Sequence, residues 1–162
     1  MKQLLLYSLT VSLLATPQKS FALDINRAGF YTAMKSGNLD EINSQLESIK
    51  NDTSTEGQAF EGVLLMKKAG VVKGLFKKLK LFKQGHALLE NALETDRDNP
   101  EFRFLRLMIQ ENAPGMLNYN DDIETDSAII QSAFKQMSPE LQGNVIEYSK
   151  RSKVLASANF KS

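Results

Sequence analysis

The chain has no cysteine and no tryptophan, and His86 is its only histidine. Without cysteine there is no disulfide, no thiolate metal site and no lipid-carrying residue of a bacterial lipoprotein. A lone histidine cannot complete a zinc site of the common kind. The chain also has no phosphate-binding glycine loop, no nucleophile elbow and no HExxH pair. Strand-like alternation is almost missing too, so a sheet is not expected. Together these absences argue for a protein that is not an enzyme, holds no cofactor and binds no metal.

Charge of one sign is also lacking. The 162 residues carry 20 Lys and Arg against 19 Asp and Glu. That balance gives no basic domain, and nucleic acid is not an expected partner. One segment is different in kind. Residues 1–22 begin with Lys2, continue through the apolar run "LLLYSLTVSLLA", and end with the small residues Ser20 and Ala22. This is the layout of a secretory signal peptide, and the run is short for a span of about 20 residues. Export with cleavage after Ala22 is expected, with a retained anchor as the competing reading. Removal leaves 140 residues with 18 cations against 19 acids. That length can bury a core without covalent staples.

From there to the end, helical periodicity dominates. "INRAGFYTAMKS" reads as a first helix stopped at Gly37-Asn38, and "LDEINSQLESIK" as a second capped by Asn38. "EGQAFEGVLLMKKA" is a third, and residues 75–95 a long fourth broken by "DRDNP". Pro100 suits the first turn of a fifth, "PEFRFLRLMIQEN". "DIETDSAIIQSAFKQM" and a segment opened by Ser138-Pro139-Glu140 supply two more. The expectation is one all-α domain over 23–157, with about seven helices in antiparallel hairpins and a frayed tail at 158–162.

Two stretches resemble the tetratricopeptide repeat. "FYTAMKSGNLDEINSQLESIK" has its helix–Gly turn–helix layout, and "GHALLENALETDRDNP" its second half, with Gly85 and Ala92 at the small positions. Arg97, Arg103 and Arg106 depart from that pattern. Across residues 73–130, the "FKKLKLFKQG" opening, the "RFLRLMIQENAP" helix and the "LNYNDDIETD" loop resemble an uncharacterised family of small exported helical proteins of Bacteroidota-type bacteria. That resemblance implies export and an all-helical fold, and brings no activity with it.

Between Val63 and Leu89 lie seven lysines and no acid. Helical spacing places Leu75, Leu79, Phe82, His86, Leu89 and Leu93 on one face of the fourth helix and Lys77, Lys80 and Lys83 on the other. Three readings fit: a solvated face, a dock for an acidic protein, or a dock for an anionic membrane surface. Because the stripe runs on into "ALLENALETD", it reads as part of a core, and His86 as a packed core side chain. Lys78 falls inside the apolar arc and is expected to pair with a carboxylate of another helix.

Arg103, Arg106 and Gln110 share one side of the fifth helix. Two arginines on adjacent turns can clamp a carboxylate or phosphate of a partner, or pair with Asp96, Asp98 or Asp126 of this chain. Asn118, Asn120, Asp122, Glu124 and Asp126 alternate as in a calcium loop. Ile123 and Ile129, however, occupy its glycine and glutamate positions, so helix capping by Asp121 or Asp122 accounts for the acids. The reading that results is an exported, non-catalytic helical scaffold. It would bind a protein or peptide, with Arg103, Arg106 and Gln110 as candidate contacts. The alternative is a peripheral protein on an anionic membrane, held through Lys77, Lys80 and Lys83.

Overall fold

The computed structural model describes residues 25–155 and Phe160. The expected signal peptide and most of the tail lie outside the described residues. Seven α-helices follow in order: α1 Arg27–Ser36, α2 Leu39–Ile49, α3 Thr55–Val71, α4 Leu75–Thr95, α5 Pro100–Gln110, α6 Ile123–Ala133 and α7 Pro139–Ser149. Two short 3-10 turns, Gly115–Leu117 and Phe134–Gln136, precede and follow α6, and no strand occurs among the described residues.

Local chemistry sets most helix starts. Asn38 Oδ1 accepts from the amides of Asp40 and Glu41 at 2.9 and 3.2 Å. Asn99 does the same for Glu101 and Phe102 ahead of Pro100, and Ser54 and Ser138 cap α3 and α7. Each such cap contributes on the order of 1 kcal/mol. α4 and α6 are exceptions. α4 begins after Gly74, which sits at φ 91° and offers no side-chain cap. Periodicity alone carries the sixth helix to Met137, but its α-helical part ends at Ala133 and the chain tightens into the 3-10 turn. Asp122 occupies the N-cap of α6 without capping it.

Each of α1 to α5 packs on its neighbour in sequence, α3 also meets α5, and α5 supports α6. The closest approach is between α3 and α4. A Cβ added to Gly62 would meet the Gly85 carbonyl oxygen at 2.6 Å, and one added to Gly85 would meet the Gly62 oxygen at 2.3 Å. Glycine is therefore required at both positions, and the two backbones lie in direct contact. Met66 lies against Gly85 and Leu89 against Gly62, so α3 and α4 run in opposite directions. The core grows around this seam from Phe60, Leu64, Leu89, Phe104, Leu105 and Leu107, all fully buried. The rings of Phe30 and Phe60 lie 4.5 Å apart, and Phe104 meets Tyr148 of α7 edge-on at 5.6 Å. Phe160, in the segment expected to fray, is buried against Phe134 at 4.6 Å.

Candidate functional site

The first turns of α4 depart from the expected pattern. The apolar stripe enters the core only in its C-terminal half, where Leu89 and Leu93 are buried. At the other end Leu75 is 63 % exposed and Phe76 89 %, with Val71 and Leu79 also open to solvent. The reason is tertiary. α3 packs along α4, but α5 touches α4 only slightly, and the side chains of Leu75 and Phe76 stay open to solvent. Burying a side chain of this size stabilises a fold by roughly 1.5–3 kcal/mol. Leaving several uncovered therefore gives up stability and needs another account.

Leu75, Leu79 and Val71, but not Phe76, line a groove of about 430 Å³. Leu75, Leu79 and Phe82 come from α4, and Met66, Ala69 and Val71 from α3. Ile109 of α5 and the loop residues Pro114, Met116 and Leu117 complete the lining. Lys67 and Lys78 stand among them as the charged residues of the lining. Lys78 does not find the carboxylate expected for it. The lysine ion pairs among the described residues are those of Lys35, Lys50 and Lys150, so none of the seven lysines between Val63 and Leu89 is paired there. Lys77, Lys80 and Lys83 are exposed on the side of α4 away from the core. Half-buried His86 stacks along Phe82 and meets Tyr119 edge-on at 4.7 Å.

A second cavity of about 360 Å³ adjoins the groove, sharing Lys67, Ile109 and Asn112 with it. It lies between α1, α3, α5 and α7. Met34, Phe104 and Met108 give it an apolar floor, and Lys35, Lys67, Glu147 and Arg151 supply its charges. The Lys67 ammonium is held below its ordinary value, first by burial and then by the positive charge of Arg151.

Arg103, Arg106 and Gln110 are placed differently. Arg106 is only 4 % exposed, and its guanidinium is fully engaged inside the protein. Nε and Nη2 donate to Asp126 at 2.7 and 2.8 Å, while Nη1 reaches Glu90 at 2.9 Å and Asp122 at 3.1 Å. Burial alone would lower the arginine's pKa, but hydrogen bonds and charge from Asp126, then Glu90 and Asp122, outweigh it and hold it above its ordinary value. Arg103 adds a third bond to Asp126 at 3.0 Å and donates to the Arg97 carbonyl at 2.6 Å. Two acids of the calcium-like segment are thus turned onto arginine. Gln110 is buried too. Neither amide atom has a hydrogen-bond partner among the described residues, and it lines a separate cavity of about 220 Å³ with Glu111, Tyr119 and Lys153.

Among the described residues, no group of histidine and acidic side chains is arranged to hold a metal ion, and no helix is long and apolar enough to cross a membrane. No protein-family model matches the chain, and no significant match exists to a curated protein or a solved structure.

Proposed function

We propose that this protein is an exported, non-catalytic scaffold of tetratricopeptide-like helical hairpins. It binds an apolar, acid-bearing segment of another envelope protein or peptide in the groove between α3, α4 and the loop after α5. The observation that carries this reading is the uncovered apolar wall of α4 combined with its unpaired lysines. Helical repeats bind partners by presenting such grooves between packed helices. An apolar side chain entering the groove gains burial against Leu75, Leu79 and Phe82. A carboxylate beside it meets Lys67 or Lys78, neither of which has an internal acid to displace. The apolar contact supplies affinity, and the cations select sign and register.

A random peptide library displayed on phage tests this directly. Selection on the purified protein, with a Leu79→Glu variant for counter-selection, is expected to enrich sequences with two or three apolar anchors flanked by Asp or Glu. Failure to enrich, or enrichment that survives on the variant, contradicts the groove.

One observation favours a second reading. Phe76 is nearly fully exposed, does not line the groove, and stands beside exposed Lys73, Lys77 and Lys80. An aromatic ringed by cations suits an anionic membrane surface, where each lysine contributes about 1 kcal/mol. Leu81, one turn further along α4, is half-buried and adds little to that surface. Co-sedimentation with anionic vesicles at low and high salt, beside a Lys77→Glu/Lys80→Glu/Lys83→Glu variant, distinguishes the two. Salt-sensitive binding lost in the variant supports the membrane reading, and no binding leaves the lysines as a solvated face.

A further inference from the structure

We propose that the cavity beside the groove is a binding site for a small amphiphilic anion, an oxyanion headgroup on a short apolar body. The inference concerns a different ligand and turns on Arg151, which does not line the groove, although Lys67 and Ile109 border both spaces.

The charges of the lining do not balance. Lys35, Lys67 and Arg151 face one acid, Glu147. That acid is already engaged, since it accepts from Lys150 at 2.6 Å and from Lys35 at 3.2 Å. Hydrogen bonds from Lys150 and then Lys35 hold its pKa below the ordinary value, so it stays ionised and paired. Lys67 and Arg151 are left without a carboxylate among the described residues. Arg151 is not loose. Its guanidinium carbon stands 5.0 Å above the Tyr148 ring, which fixes the fork over the cavity wall.

Two cations that line one cavity, neither of them paired with a carboxylate, form an incomplete electrostatic arrangement. An oxyanion placed there relieves their repulsion, accepting a bidentate pair from Arg151 and a third bond from Lys67. The same cavity has an apolar floor of Met34, Phe104, Met108 and Ile109. A bare inorganic ion would leave that floor wet, whereas a carboxylate or phosphate ester with a few methylenes covers it. The volume of about 360 Å³ admits such a molecule. Lys67 has a competing structural role, because its ammonium lies close to Gly37 at the C-terminal end of α1, where helix carbonyls favour a cation. Arg151, exposed and outside the core, has no such role and is the cleaner position to change.

The test is an NMR titration of the purified protein with sodium acetate, sodium hexanoate and inorganic phosphate at constant ionic strength. It follows the side-chain amides of Asn112 and Asn144 and the Arg151 Nε–H. The site predicts saturable shifts confined to those groups, with hexanoate about tenfold or more tighter than acetate because of its extra methylenes. Whichever of acetate and phosphate binds tighter names the headgroup. Arg151→Gln is expected to abolish the hexanoate response in a protein that remains folded, and Lys67→Gln to weaken it. Three results overturn the proposal: no saturable shift, equal binding by Arg151→Gln, or shifts centred on Lys77, Lys80 and Lys83. Because no peptide is involved, these outcomes are independent of the fate of the groove reading.

Discussion

Arg106 of α5 holds Asp126 of α6 in a two-bond fork, Nε to Oδ2 at 2.7 Å and Nη2 to Oδ1 at 2.8 Å. Asp126 is fully buried, and Arg103 binds the same carboxylate from one turn earlier. Two arginines that could have served a partner instead join α6 to the rest of the domain.

Breaking such a buried pair from one side leaves an uncompensated charge, which costs about 3–5 kcal/mol. Asp126→Ala is therefore expected to lower the urea-unfolding free energy by that amount. A loss under about 1 kcal/mol, the range of exposed pairs, contradicts the structural role.

The contact between Gly62 and Gly85 leads to a second prediction. A methyl group at Gly85 would lie 2.3 Å from a backbone oxygen that cannot swing away, so α3 and α4 must separate. Gly85→Ala is expected to destabilise the protein by about 1–3 kcal/mol despite alanine's better helix propensity. Gly143→Ala, where the added Cβ meets nothing within 4 Å, is the control and is expected to be neutral or stabilising. Equal thermal stability of both variants contradicts the close seam.

High pH gives a third. Burial raises the phenol pKa of Tyr31, Tyr119 and Tyr148 above the ordinary value of 10.0, with Glu101, Glu90 and Glu111 respectively pushing the same way. A group raised in the folded state contributes full stability below its unfolded pKa and loses it as pH climbs beyond. Stability is thus expected to fall from about pH 10 upward, by about 1.4 kcal/mol per pH unit for each shielded phenol. Phenolate absorbance should then rise together with unfolding. Reversible titration of all three in the folded protein at the ordinary value contradicts their burial.

Export is checked by the mature N-terminus. Mass spectrometry of the protein recovered from a bacterial envelope fraction is expected to place it at Leu23, and an intact Met1 start supports the retained anchor instead.

Much of the helical order is legible in the sequence because it is set locally. The span of α4 from Leu75 to Thr95 follows from periodicity and the "DRDNP" break; Asn38 and Ser138 mark helix starts as caps, and Pro100 as the first helical residue. The candidate site is legible only in fragments. Period and spacing place Leu75 and Leu79 on an apolar face, but whether another helix covers that face depends on where α5 packs. Lys67 and Arg151 lie 84 positions apart, and no local signal brings them together. Asp122 reads as a cap from its position, yet a long-range partner, Arg106, outcompetes the backbone amide.

The most direct test of the groove is the affinity of one library-selected acidic peptide, measured on three forms of the protein. Leu75→Glu/Leu79→Glu is expected to abolish binding, while Lys77→Gln/Lys80→Gln/Lys83→Gln leaves the dissociation constant within about threefold, as distant surface charges are screened. Loss of binding in the lysine variant with retention in the leucine variant would contradict the groove.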